Sequence, residues 1–135
     1  MPATARLAIT ILAVADVRRS VAFYVAAFGW SVAADAAPAY AELELPGGAR
    51  IGLYVRGGFA RTAGAAPADV PAGCVGPAEI YLRVEDLDGA IAALVAAGAR
   101  PLSPRAPREW GDEAAYFADP DGHVVAVSMP PPEDR

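Results

Sequence analysis

The residues able to do chemistry in this 135-residue chain are few, and most lie at alternating positions of two short stretches. Glu79, Tyr81 and Arg83 alternate with Ile80, Leu82 and Val84, and Arg50, Gly52, Tyr54 and Arg56 alternate with Ile51, Leu53 and Val55. A strand turns successive side chains to opposite faces. Each stretch therefore divides into an aliphatic side for a core and a polar, aromatic side for a ligand. On that side Glu79 can hydrogen-bond a ligand, hold a cationic group or act as a general base. The competing reading pairs it with Arg50 or Arg83, or caps it with a tyrosine hydroxyl. Tyr54 and Tyr81 are walls for a ligand in one reading and space-fillers in the other. Trp110 either stacks on a planar ligand or packs on the proline-rich stretch 101–107. Arg56 and Arg83, at strand ends, are expected in solvated ion pairs, which contribute little energy.

Other chemistries lack the residues they need. There is one histidine, His123, and one cysteine, Cys74, which has no base near it in sequence and excludes an internal disulfide. Glu85, Asp86 and Asp88 read as charge at a helix N-terminus, favoured by the helix dipole. The glycine pairs at 47–48 and 57–58 lack the strand–loop–helix setting of a phosphate cradle. Net charge is −5 and all 11 fixed cations are arginines that form no stripe, so nucleic acid is not expected as a partner. No apolar run approaches the roughly 18 residues of a membrane span, and no export signal is legible. These features together lead us to expect a cytoplasmic globular protein.

The elements that must position these residues occur twice. LAVADVRRSVAFYVAAFG around Asp16 is echoed by LRVEDLDGAIAALVAAG around Asp86, and Pro46-Gly47-Gly48 by Pro120-Asp121-Gly122. Each copy reads as a strand, a helix and three further strands. Residues 6–14 form the first strand. Asp16 then caps a helix whose stripe is Val17, Val21, Tyr24, Val25 and Phe28, stopped by Gly29. Strands follow near 30–35, 39–45 and 49–56. In the second copy a strand at 77–84 leads to a helix capped by Asp86, striped by Leu87, Ile91, Leu94 and Val95, and ended by Gly98. Strands near 99–104, 113–118 and 123–129 complete it. We read one domain over 1–135, with module 1 at about 5–56, an aperiodic linker at 57–76, module 2 at about 77–129 and a tail at 130–135. The fold class is α+β: two tandem βαβββ modules forming a curved, mostly antiparallel groove with helices outside.

The paired modules, the Val-x-Asp entering each helix, FY-x-x-x-FGW at 23–30 and DPDGH at 119–123 together resemble the vicinal oxygen chelate superfamily. Its members include glyoxalase I, extradiol dioxygenases and fosfomycin- and bleomycin-resistance proteins. The resemblance spans nearly the whole chain outside linker and tail, and it specifies a fold more than an activity. It implies metal-ligand positions seven residues before each module's Asp and four after each hairpin glycine. Here those positions hold Ile9, Glu79, Gly52 and Ala126. Three of these four have no ligating side chain, whereas a transition metal generally needs three or more protein ligands. Glu42 and Glu44 would serve only in a rearranged site. No metal and no cofactor are therefore expected.

The reading nearest to the resemblance is a metal-free protein that sequesters a planar or aromatic molecule in the groove, as bleomycin-resistance proteins do. Its ligand-binding residues would be Ile9, Arg50, Gly52, Tyr54, Glu79, Tyr81, Trp110 and Ala126. The alternative is a lyase, isomerase or dioxygenase with an atypical metal site or with Glu79 as catalytic base. Overall acidity favours a cationic ligand and the arginines an anionic one; the sequence leaves that sign open. The resemblance also implies a homodimer, side by side or domain-swapped. The expected partners are thus a small organic ligand and a second copy of the chain, with no nucleic acid and no membrane.

Overall fold

A computed structural model describes residues 1–135. The chain forms two compact units, Met1–Val25 with Gly29–Ala68, and Asp69–Arg135 with Ala26–Phe28. No helix is long and apolar enough to cross a membrane.

The first unit carries β1 (Thr10–Val14), α1 (Val17–Phe28), β2 (Ser31–Ala36), β3 (Tyr40–Glu44), β4 (Arg50–Val55) and α2 (Arg56–Ala63). Its sheet runs in the order β1-β4-β3-β2. β1 lies parallel to β4, with Ile11 opposite Gly52, while β3 is antiparallel to both β2 and β4. Asp16 caps α1 as its carboxylate accepts from Arg19 N at 3.1 Å, and Gly29 ends the helix in the left-handed conformation at φ 66°. The β3–β4 turn closes through Leu45 N to Ala49 O, at 2.8 Å, over Gly47 and Gly48.

The second unit repeats the pattern with β5 (Glu79–Arg83), α3 (Leu87–Ala96), β6 (Arg100–Pro107), β7 (Glu113–Ala118) and β8 (Val124–Met129) in sheet order β5-β8-β7-β6. A 3-10 turn at Pro132–Asp134 closes the chain. Asp86 caps α3 through Gly89 N at 2.9 Å. α3 packs on β7 and β8, burying Leu87 and Leu94. β6 carries Pro101, Pro104 and Pro107, which an edge strand tolerates because one side has no ladder to break. Its register with β7 shifts twice.

Two sequence readings are corrected. The stretch read as the start of an aperiodic linker forms α2, held from one side by tertiary contact. Gly58 is buried beneath the Tyr54 ring, and the Tyr54 hydroxyl shares a 3.0 Å hydrogen bond with Thr62. The stripe of α1 is also rotated: Val17, Ser20, Phe23, Tyr24 and Ala27 are buried, while Val25 is exposed, as is its counterpart Val95 in α3. Small residues let the helix rest on a face that hydropathy alone did not mark. Tyr24 stacks on Trp30 with ring centroids 5.5 Å apart, which fixes Trp30 as a buried residue.

The α2 packing gives a paired test. A Cβ on Gly58 would meet the Tyr54 ring, with Cδ1 at 2.9 Å, whereas one on Gly57 would meet only Arg61 Nη1 at 3.5 Å. Gly58→Ala is expected to lower stability by about 1–3 kcal/mol through overpacking. Gly57→Ala should be neutral, or stabilising by up to about 1 kcal/mol through helix propensity. Urea unfolding of both variants checks this; equal midpoints would refute the contact.

Candidate functional site

In the first unit, register places Tyr40 and Glu42 of β3 beside Tyr54 and Gly52 of β4, and Ile11 of β1 completes that face. These side chains satisfy one another. Tyr40 donates to Glu42 Oε2 at 2.9 Å, and Arg50 Nη1 donates to Glu42 Oε1 at 3.0 Å. Burial, with the neighbouring Glu42 carboxylate, pushes the Tyr40 phenol up to about 12, so it stays a neutral donor. Hydrogen bonds from Arg50 and then Tyr40 hold Glu42 below the ordinary glutamate range. A Cβ on Gly52 would lie 2.6 Å from the Tyr40 hydroxyl oxygen. The space a side chain at position 52 would need is thus filled by a phenol. Tyr54 is half-buried over α2, the space-filling role rather than an open wall.

The second unit is differently built. Tyr81, Ala126 and Tyr116 lie in one row across β5, β8 and β7, and Glu79, Val124 and Ala118 in the next. Ala126 is fully buried between its two tyrosine neighbours. Asp112 sits where β7 begins, and its carboxylate takes a 2.6 Å hydrogen bond from the Tyr81 hydroxyl and a 3.0 Å ion pair from Arg83. Trp110 in turn donates its Nε1–H to Tyr81 Oη at 2.9 Å, with the two rings edge to face. Tyr81 first, then Arg83, hold Asp112 below the ordinary aspartate range. Despite this anchoring Trp110 remains 58% exposed.

Beside Trp110 is a cleft of about 390 Å³ lined by Ser103, Pro107, Arg108, Glu109, Trp110 and Tyr116. The Arg108 guanidinium lies over the Tyr116 ring, 5.0 Å from its centroid, close enough for a cation–π contact. Its Nε and Nη2 donate to the carbonyls of Ala114 and Pro104 and to Ser103 Oγ, which ties the β6–β7 connection together. Burial, followed by the charge of Glu79, pushes the Tyr116 phenol up.

Of the eight sequence candidates, Ile9, Arg50, Gly52 and Tyr54 lie in the first unit and Glu79, Tyr81, Trp110 and Ala126 in the second. Trp110 and Tyr81 meet directly, with Asp112 accepting from the Tyr81 hydroxyl, and Arg50 is engaged by Glu42. Arg83 makes the expected ion pair, and Arg56 donates to the Pro67 carbonyl. Glu79 is exposed at the start of β5, and neither Arg50 nor Arg83 is its partner. Ile9 precedes β1 and is partly buried. Ser103, Arg108, Asp112 and Tyr116 escaped the sequence reading.

The residues at the superfamily's metal positions do not fit a metal. The side chains of Ile9, Gly52 and Ala126 offer no ligating atom; the Tyr40 phenol fills the space at Gly52, and Tyr81 and Tyr116 flank Ala126 in register. Asp119, Asp121 and His123 do gather ligating atoms within 4.8 Å. Within the β7–β8 turn Asp119 accepts from Asp121 N, His123 N and His123 Nδ1, each at 2.9 Å.

Comparison with known proteins agrees with this architecture. A glyoxalase-like domain family matches residues 8–128, and the chain belongs to that family, within the vicinal oxygen chelate superfamily. Among solved structures it resembles a glyoxalase-related enzyme from Fulvimarina pelagi, with TM-score 0.79, 24% identity and coverage of 92% of this chain and 87% of that one. It also resembles a glyoxalase/bleomycin resistance protein/dioxygenase from Nocardioides, with TM-score 0.74, 25% identity and coverage of 96% and 87%. A superfamily member from Sphaerobacter thermophilus follows at TM-score 0.72 and 21% identity, covering 93% and 98%. No curated protein matches the chain in sequence.

The Asp112 hub has a pH signature. Its pKa is lowered on folding, so its contribution is complete above the ordinary aspartate value and is lost as pH falls through the folded value. The indole N–H resonance of Trp110 is therefore expected to titrate with a midpoint below the ordinary aspartate range, and Asp112→Asn should abolish that titration. A midpoint at or above the ordinary value would show that the carboxylate does not hold Tyr81 and Trp110.

Proposed function

We propose that this chain is a metal-free binding protein that sequesters a planar or aromatic small molecule. The observation carrying the reading is the replacement of three metal-ligand positions by Ile9, Gly52 and Ala126, with aromatic side chains around the last two. Trp110 supports it: an indole held by a hydrogen bond yet largely exposed is a stacking surface whose orientation is fixed beforehand. Binding to such a platform loses little rotamer entropy.

The enzyme reading keeps one specific support. Glu79 is the single carboxylate among the four metal-type positions, and it faces the same side of the sheet as Tyr81 and Tyr116. One carboxylate without a second catalytic group makes hydrogen bonding to a ligand its better role. A thermal-shift screen of aromatic acids, aromatic amines and antibiotics, with and without zinc, nickel, iron and manganese, separates the two readings. The binding protein gains about 2–3 kcal/mol when ligand is near a hundredfold above Kd, and it gains nothing from metal alone. Stabilisation by a metal alone, or stoichiometric metal in gently purified protein, would overturn the proposal.

We also propose that the chain works as a homodimer. Leu7, Ile11 and Val32 of the first unit are exposed apolar residues, and β1 and β2 are sheet edges. Both features are relieved when another chain covers them. Light scattering at micromolar concentration is expected to return twice the 13.8 kDa chain mass. A monomeric mass would refute it.

A further inference from the structure

The sign of the ligand's charge, open in the sequence, follows from the surroundings of Arg108. We infer that the cleft between β6 and β7 takes an aromatic anion, its ring against Trp110 and its carboxylate or similar oxyanion on Arg108 and Ser103. This rests on the small-molecule binding reading above and adds to it a location and a charge.

Four other arginines have carboxylate partners: Arg50 with Glu42, Arg83 with Asp112, Arg105 with Asp88 and Glu113, and Arg135 with Glu113. Arg108 has none. Its positive charge meets three neutral acceptors and the face of Tyr116. Those bonds use Nε and Nη2 and fix the guanidinium plane, leaving the Nη1 donors to a ligand. Ser103 Oγ accepts from Arg108, so its own proton is available to an anionic oxygen. A half-buried cation held in place by neutral groups is a preorganised anion site, since binding there breaks no existing ion pair.

The dimensions agree. A volume of about 390 Å³ equals roughly thirteen waters at about 30 Å³ each, enough for one or two fused rings. Trp110 supplies the ring contact, and its orientation is set by Tyr81. Glu109 lines the same cleft and is exposed. Its charge opposes an anion and so weakens binding without abolishing it.

The test uses the full chain and three probes of one shape: 2-naphthoate, its neutral carboxamide and 2-naphthylmethylammonium. Binding is followed by calorimetry and by the indole N–H resonance of Trp110, assigned with Trp110→Phe. Naphthoate should bind about tenfold or more tighter than the carboxamide, as for a hydrogen bond to a charged group, and the ammonium weakest. Arg108→Gln should erase the gap, Glu109→Gln should widen it several-fold, and added salt should narrow it. Should Arg108→Gln fail to fold, Arg108→Lys must keep a reduced preference for the anion. Equal affinities for naphthoate and carboxamide, or tightest binding of the ammonium, would overturn the charge assignment while leaving the binding reading intact. If no probe moves the Trp110 resonance but another organic compound stabilises the protein, the location is wrong and the binding reading stands. Stabilisation by metal and by no organic compound would remove both.

Discussion

Each half of this chain closes by pairing its first strand in parallel with its last, and the residues that share a surface follow from that register. Parallel neighbours cannot be joined by a tight turn. A helix and two further strands lie between β1 and β4, and again between β5 and β8. Closure puts Ile11 opposite Gly52 and Tyr81 opposite Ala126. A slip of one residue would turn Ile51 and Leu53 outward and bury Arg50 and Tyr54. Aliphatic residues on one face of each strand make that slip costly, so the polar face is specified by the apolar one.

The two halves use the same register differently. In the first, Tyr40 stands over Gly52 and closes a circuit with Glu42 and Arg50 that leaves little polar capacity for a ligand. In the second, the hydrogen-bond chain starts at Arg83, passes through Asp112 and Tyr81, and ends on an exposed indole. Small residues stand at Gly52 and Ala126: Tyr40 fills the space beside the first, and Tyr81 and Tyr116 flank the second in register.

Much of the fold was legible because local and tertiary signals agree there. Asp16 and Asp86 cap their helices, Gly29 takes the left-handed conformation, and alternation in 50–55 and 79–83 gives the correct faces. α2 was not legible because its support is tertiary. Val55 provides no side-chain cap, two glycines weaken the helix, and the Tyr54 ring over Gly58 compensates. The α1 stripe misled because Ser20, Phe23 and Ala27 are buried where Val21 and Val25 were expected. Within the site, Trp110 and Tyr81 could be suspected singly. Tyr81 bonds Trp110 and Asp112, 29 and 31 residues away, and no periodicity announces bonds across those separations. Arg108 was missed because its role comes from having no carboxylate partner in the folded chain, a property no sequence window displays.

The contrast between the chain's net charge and the local charge of the cleft bears on what it can hold. A net charge of −5 creates a field that acts at a distance and is screened beyond about 8 Å at physiological ionic strength. It influences how often a charged molecule arrives. Once a molecule lies in the cleft, contact terms dominate, because a partly buried group is screened less and a charge-assisted hydrogen bond is roughly twice as strong as a neutral one. Several fixed charges here are already opposed at contact distance, as in the Arg105 bridge between Asp88 and Glu113. Such pairs look nearly neutral from a few ångströms away. The guanidinium over Tyr116 does not, and it stands next to the exposed indole. On the proposed reading, selectivity therefore rests on the Arg108 guanidinium, which has no carboxylate partner, rather than on the acidity of the chain as a whole.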